Sequence, residues 1–251
     1  MKIIKKTLKF LILYFIPQGF MKIRNPILYR GFFYDFFNIF FNKSLNTDVI
    51  KLETSNYNRI TYVHKALSLF NLNECKYLEI GTDRDITFNT VPLPISKKFG
   101  VDPVRGGNIR SNSNDFFLKN KEYFDVVFID GDHSYKQAQL DVINALKFCK
   151  NKTYIIIHDM LPVNKFQAKM PRQYKIWTGD VWKIGFELSH SKNLRFCIAN
   201  IDHGVGIAEV NPSTEYLIKP ELNNKNFDDY IYKYHSLLPI KSAADALDFI
   251  K

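Results

Sequence analysis

Cysteine is scarce in this chain: Cys75, Cys149 and Cys197 are the only three in 251 residues, far apart and without metal-ligand spacing. That excludes a disulfide framework and a cysteine-built metal site, points to a reducing compartment, and leaves the thiols as buried filler. Long apolar runs are missing as well. The one candidate membrane or signal segment, residues 10–16, holds seven apolar residues and stops at Pro17, against the roughly 20 that span a bilayer. No small-residue cleavage site follows it, so a secretory signal is not expected. Internal repeats and low-complexity tracts are absent too, which excludes a repeat architecture. A length of 251 residues suits one sizeable α/β domain with decorations and is short for two.

Acid is also in short supply. The formal net charge is +10, and residues 1–50 hold eight Lys or Arg against Asp35 and Asp48. The same stretch is crowded with Phe32, Phe33, Tyr34, Phe36, Phe37, Phe40 and Phe41. A basic, aromatic helical arm over residues 1–56 is expected. It either lies on an anionic membrane surface or packs an apolar face on its own domain or a partner subunit while its lysines stay wet. The chain is read as cytoplasmic, with peripheral contact to the inner face of the membrane through this arm and a homo-oligomer as the alternatives for its partners.

What is present is organised around Glu122-Tyr-Phe-Asp-Val-Val-Phe-Ile-Asp-Gly-Asp-His-Ser-Tyr135. Val126 to Ile129 are apolar without alternation, as in a parallel strand buried on both faces. The strand stops at Asp130, Gly131, Asp132 and His133, and an amphipathic helix starts near Tyr135, its face drawn from Ala138, Leu140 or Asp141, Ile143 or Asn144, Leu146 and Phe148. Acids and an imidazole therefore sit at the carboxyl end of a strand, the edge where open α/β sheets bind ligands.

Elsewhere the patterns predict a helix over 57–70, strands over 76–80, 98–101 and 154–157, a helix over 180–190, and a hairpin of 195–200 with 205–210 turning at Gly204. A tail, 211–251, carries an aromatic helix from Asn226 and a last helix with Ser242 as N-cap. Gly81 closes the first strand, where a missing Cβ permits a sharp turn. Asp102 follows the second, 21 residues further on, a spacing at which an acid holds ribose hydroxyls in nucleotide-binding α/β folds.

With these pieces in order, the chain resembles the class I S-adenosylmethionine-dependent methyltransferases. The likeness is to the bacterial group in which a strand ending Ile-Asp-Gly-x-His precedes a helix. The matching motifs are Tyr77-Leu-Glu-Ile-Gly81, Gly100-Val-Asp-Pro103, Ser113-Asn-Asp-Phe-Phe117, Phe124-Asp-Val-Val-Phe-Ile-Asp-Gly-Asp-His133, Ile157-His-Asp159, Gly179-Asp-Val-Trp-Lys183 and Asp202-His-Gly-Val-Gly206. The resemblance covers residues 57–210 and implies a Rossmann-like α/β fold: a seven-stranded, mostly parallel sheet in the order 3-2-1-4-5-7-6. It departs at Asp85, where the family turn carries a second glycine, and at Pro92 and Pro94, which cut short the following helix. Asp85 either contacts the cofactor's ammonium or marks weakened binding; the intact Asp102 and Ser113–Asp115 favour retained binding.

By motif position the resemblance assigns Glu79, Gly81, Thr82 and Asp85 to the amino-acid end of the cofactor, Asp102 to its ribose, Ser113, Asn114 and Asp115 to the adenine region, and Asp130 to the same seat. Methyl transfer to a hydroxyl needs alignment and removal of the hydroxyl proton. His133 is the choice for general base, since an ordinary imidazole titrates near neutrality, and it stands where metal-assisted catechol methyltransferases place a catalytic lysine. His158 ranks second as base. Asp130 and Asp159 match positions that hold a divalent ion such as magnesium in metal-dependent members, but the third such position is Met160, a poor ligand. Asp132 is the substitute; without it the two carboxylates orient His133, His158 or the acceptor.

The basic loop with Lys165, Lys169, Arg172 and Lys175 suggests an anionic acceptor. Trp177 and Trp182 are candidates to stack on a sugar or base, with core packing the safer expectation for Trp182. Many members of the resembled group modify sugars of surface polysaccharides, so the resemblance, together with this loop, implies an O-methyltransferase acting on a sugar hydroxyl of a nucleoside diphosphate sugar for capsular or other surface polysaccharide. Its rival is a non-catalytic relative that has lost the cofactor and docks to a partner or membrane. A nucleic-acid methyltransferase is disfavoured, because no Asn-Pro-Pro-Tyr-type motif is present and the positive charge lies in an apolar arm.

Overall fold

Asn58 starts the first helix by accepting a hydrogen bond from the Ile60 amide at 2.9 Å, while its own amide donates to Thr61 Oγ1 at 3.2 Å. This reciprocal cap fixes α1 (Arg59–Leu67), which buries Tyr62, Val63, Ala66 and Leu67. The computed structural model describes residues 49–172, 176–211, 213–216 and 220–251; the expected arm, up to residue 48, and Lys175 lie outside them. The chain divides into a unit of residues 48–170 and 177–251, to which everything below refers, and a second of residues 1–47 and 171–176.

Four parallel strands follow: β1 (Tyr77–Ile80), β2 (Lys98–Val101), β3 (Phe124–Ile129) and β4 (Cys149–Ile157). Every residue of β1 and β3 is buried, as expected for strands covered on both faces. Side-chain alternation sorts them. Tyr77, Val126, Phe128, Tyr154 and Ile156 face α1 and the C-terminal helix α5 (Ala243–Asp248). Leu78, Ile80, Val127, Ile129, Ile155 and Ile157 face α2 (Ser113–Lys119), α3 (Tyr135–Leu146) and α4 (Trp182–Ser189). On α3 the buried stripe is Tyr135, Ala138, Asp141, Val142 and Ala145, with Leu140 exposed. Trp182 is core, packed against Tyr230 and Tyr234 of the aromatic tail. Ser242 caps α5 through the Asp245 amide at 3.1 Å.

The sheet order is β2-β1-β3-β4-β6-β5-β7, with β5 (Arg195–Ala199), β6 (Val205–Val210) and β7 (Ile240–Lys241). Only β6 runs antiparallel to its neighbours β4 and β5. A seven-stranded, mostly parallel α/β sheet is therefore present, but its edges differ from the expected order. The outer strand next to β2 shrinks to one bridge, Val101 with Ile109, because the intervening residues are consumed by a loop tied to the β1 turn. The seventh strand is instead β7, parallel to β5 at the far edge. Between β1 and β2 only single 3-10 turns form, Phe88–Thr90 and Ile95–Lys97, as Pro92 and Pro94 demand. Among the described residues no helix is long and apolar enough to cross a membrane.

Candidate active site

Parallel pairing places the residues after β1, β2, β3 and β4 at one edge of the sheet: Gly81, Asp102, Asp130 and the pair His158–Asp159. The β6 register, Gly206 opposite Ile157, brings the hairpin turn with Asp202 and His203 to that edge too. The backbone is sharply reversed there. Gly81 has φ 85°, and a Cβ on it would stand 2.3 Å from the Asp130 carbonyl oxygen, so the close approach of the turns that end the paired strands β1 and β3 tolerates no side chain. Asp159, Asp202 and His203 also adopt left-handed φ of 64°, 48° and 62°, a conformation aspartate accepts more readily than most residues.

The reversals gather six charged groups. His133 Nδ1 lies 2.8 Å from Asp159 Oδ2 and 2.8 Å from the Trp177 carbonyl. Both neighbours are acceptors, so this nitrogen carries a proton, and Nε2, 3.7 Å from Asp130 Oδ1, is the one left for chemistry. Trp177 covers the imidazole face, stacked at 4.9 Å and 10°. Buried His158 directs Nδ1 to Asp130 Oδ1 at 3.2 Å and Asp159 Oδ1 at 3.4 Å, and Nε2 to Asp202 Oδ1 at 3.4 Å. Arg59, the first residue of α1, completes the set: its Nη1 reaches both Asp202 oxygens at 3.2 and 3.1 Å, and its Nε lies 3.8 Å from Asp130 Oδ2.

Cations and anions interleave, and the titrations respond. Burial works against a charged His133, yet the charge and hydrogen bond of Asp159, helped by Asp130, push its pKa up to about 9. His158 is held well above the ordinary imidazole range by Asp159 and Asp130 despite burial. Burial likewise opposes ionisation of Asp159, but His158 and His133 keep it well below the carboxylate range. Asp202 is depressed too: burial opposes, and the hydrogen bond and charge of His158 prevail. His133 is consequently protonated at neutral pH in the ligand-free protein, unlike the ordinary imidazole assumed from sequence.

The residues assigned to the cofactor border this cluster, but their side chains are turned to the protein. Glu79 is buried and accepts from Tyr77 Oη at 2.6 Å; burial, then the charges of Asp130 and Asp85, push its pKa up to about 8. Asp102 accepts from the amides of Val104 at 2.7 Å, Arg105 at 2.9 Å and Asp83 at 3.1 Å. Asp85 accepts from the Gly107 amide at 2.5 Å, and Thr82 Oγ1 donates to the Arg105 carbonyl at 3.4 Å. Ser113 and Asn114 meet Gln137 of α3 at 3.1 to 3.3 Å. Asp115 belongs to the α2 cap, its amide donating to Asn112 Oδ1 at 2.8 Å. The residue types fit an adenosyl donor: a side-chain-free turn at Gly81 flanked by acceptors for an ammonium and for ribose hydroxyls. Seating one means exchanging these internal bonds.

For a divalent ion the donors are Asp130, His133 and Asp159, whose ligand atoms lie within 4.8 Å of one another. They do not fit magnesium, which wants near-octahedral oxygen ligation. One donor is an imidazole, and both carboxylates already balance imidazolium charge. Met160 is a buried thioether, against which an added Cβ at Gly206 would stand 2.3 Å away. Asp132 cannot substitute, because it accepts from the Ser134 amide at 2.7 Å in an exposed turn and lies outside the cluster.

Sequence reading missed Arg59 and Asp202 as site residues. Their one signal was position: a cation directly after an N-cap, and an acid two residues before a turn glycine. Of the basic loop, Lys169 touches the site's surroundings, its carbonyl accepting from Trp177 Nε1 at 2.7 Å.

Comparison with known proteins bears on this edge of the sheet. Residues 100–160 match the family model described as a methyltransferase domain. The matched segment runs from the end of β2 past the end of β4, along the strand tips described above. Among solved structures, a Klebsiella pneumoniae protein provisionally named an O-methyltransferase is similar at 17% identity, covering 81% of this chain and 95% of its own, with TM-score 0.45. An O-methyltransferase from Bacillus cereus in complex with SAH is similar at 14% identity, covering 81% of this chain and 96% of its own, with TM-score 0.42. An rRNA methylase from Streptococcus thermophilus shows 11% identity, 66% and 100% coverage, and TM-score 0.38. No curated protein matches the chain.

Proposed function

We propose that this chain is an S-adenosylmethionine-dependent O-methyltransferase that acts on a sugar hydroxyl, in particular of a nucleoside diphosphate sugar used for capsular or other surface polysaccharide. The observation that carries the reading is His133, held through Nδ1 by Asp159 with Nε2 3.7 Å from Asp130 Oδ1, at the carboxyl edge of the sheet and within the segment that matches a methyltransferase domain.

S-adenosylmethionine, when bound, supplies a methyl group on a cationic sulfur. Glu79, Gly81, Thr82, Asp102, Ser113 to Asp115 and Asp130 are the residues to hold it, while Asp85 is engaged with the Gly107 amide instead. Asp159 fixes the His133 ring so that Nε2 takes the acceptor's hydroxyl proton. The pair resembles the histidine–aspartate half of a hydrolase triad, in which the carboxylate orients the ring and stabilises the imidazolium. His158, whose two ring nitrogens face Asp130, Asp159 and Asp202, keeps those carboxylates in place instead of serving as the second base expected from sequence. Lys165 and Lys169 steer phosphate from the loop that Trp177 anchors. The basic, aromatic composition of residues 1–50 supports action in the cytoplasm with this segment docked on its own domain or a partner subunit, and contact with the inner face of the membrane as the alternative.

One observation favours a second reading, a non-catalytic relative: the polar side chains assigned to the cofactor have internal partners. Calorimetric titration with S-adenosylhomocysteine separates the two, since absence of binding favours the relative. Given binding, a panel of nucleotide sugars is incubated with S-adenosylmethionine and screened by mass spectrometry for the gain of one methyl group. Methylation of phenols but of no sugar sinks the sugar half of the proposal.

A further inference from the structure

The loop that replaces the expected outer strand, residues 103–110, is fastened to the β1 turn by the very side chains the cofactor would need. Asp85 Oδ1 accepts from the Gly107 amide at 2.5 Å. Asp102 spends both carboxylate oxygens on Val104, Arg105 and Asp83 amides. Arg105 pairs with Asp83, and Arg110 donates to the carbonyls of Asp102 at 2.8 Å and Gly106 at 3.0 Å. Gly106 and Gly107 have φ of 68° and 61°, and a Cβ on Gly106 would stand 2.4 Å from the Asp83 carbonyl and 2.7 Å from Asp85 Oδ1. Two consecutive glycines let the loop lie directly on the turn, where any side chain would hold it off.

We propose that Asp85 latches this loop over the donor seat, so that the protein rests closed and a donor binds only after the Asp85–Gly107 bond opens. The inference rests on the methyltransferase reading and deepens it. It makes Asp85, which stands in the turn where a second glycine was expected, a gating residue. The physical argument is competition for acceptors. A ribose hydroxyl reaching the Asp102 carboxylate competes with the Val104 and Arg105 amides at Oδ1 or shares Oδ2 with the Asp83 amide, and the loop that carries the first two is pinned on the turn while Gly107 is held. If only a fraction of molecules is open, the apparent donor affinity falls by that fraction.

Asp85→Gly removes the acceptor and suits the left-handed φ of 61° at this position, so it is expected to fold. Asp85→Asn keeps an oxygen acceptor and serves as the conservative control. Two measurements are made on the full chain: amide hydrogen exchange of peptides covering residues 103–110, and calorimetric Kd for S-adenosylhomocysteine. The expected result is faster exchange in Asp85→Gly, Kd about threefold to tenfold tighter than wild type, and Asp85→Asn close to wild type in both. Unchanged exchange in Asp85→Gly overturns the latch. Faster exchange with equal or weaker affinity overturns the gating. Failure of both wild type and Asp85→Gly to bind S-adenosylhomocysteine removes the methyltransferase reading and the gate with it. A wild type that binds while Asp85→Gly binds no tighter removes the gate alone.

Discussion

If His133 is the base, the rate must follow its unusual titration. With its pKa pushed up to about 9, only about one molecule in a hundred holds a neutral imidazole at pH 7, since each pH unit is a factor of ten. The prediction is a log kcat/KM profile, which reports the free enzyme, rising with unit slope from about pH 6 and levelling only near pH 9. Asp159→Asn deletes the charge that most favours the imidazolium but retains an oxygen near Nδ1. Its profile should therefore level one or more units lower, toward the ordinary 6.5, at a plateau reduced about tenfold or more by the loosened ring. Stability carries the same sign. A folded-state pKa raised above the unfolded one contributes stability that is complete below about 6.5 and is lost as pH rises through about 9. His158, also raised, adds to that loss. The melting temperature should decline from pH 7 to pH 10 in the wild type and decline less in Asp159→Asn. A wild-type kcat/KM profile already flat above pH 7.5 would refute the reasoning, because the base would then be neutral at neutrality or would not be His133.

Replacing His133 by Ala should leave the Kd for S-adenosylhomocysteine within about threefold while turnover falls about a hundredfold or more, the scale of losing a general base; wild-type-like turnover removes it from the mechanism. Gly81→Ala should destabilise the fold by about 3 kcal/mol or more in urea titration, since the Cβ would meet the Asp130 carbonyl at 2.3 Å. Gly131→Ala, whose Cβ would come no nearer to any atom than 3.3 Å, at Ile80 Cγ2, should cost clearly less. Arg59→Ala, which strips Asp202 of its guanidinium partner, is expected to cost about 1 to 3 kcal/mol in the same titration, and no measurable cost would show the pair to be inert. Activity measured after exhaustive chelation should stay within about twofold of the untreated enzyme, and its restoration by added magnesium alone would contradict the misfit argued for that ion.

Local chemistry made part of this molecule legible before any coordinates. Unbroken burial of Val126 to Ile129, the turn at Gly81, the N-cap at Ser242 and the hairpin closing on Gly204 all follow from side-chain pattern and backbone preference within a few residues. Parallel strands of known order then carry Gly81, Asp102, Asp130 and Asp159 to one edge without further information. The missed edge strand shows the limit: whether residues 103–110 extend along β2 or fold back onto the β1 turn depends on Asp85 and Asp83 meeting Gly107 and Arg105 across space, which no local pattern encodes.

The sequence by itself thus determined the central buried strands and the list of acids and imidazoles at their carboxyl ends, because those rest on periodicity and on chain neighbours, while the expected strand order came from the family resemblance. Only the tertiary structure decided what charge these groups carry and what they are bonded to. Arg59 and Asp202 come together from positions 143 apart in the chain to flank His158. His133 is charged because burial gathers Asp159 and Asp130 around it, and Asp85 faces an amide of a loop from the next strand. Each is a short-range electrostatic or hydrogen-bonding effect between distant segments, and such effects exist only once the chain has closed on itself.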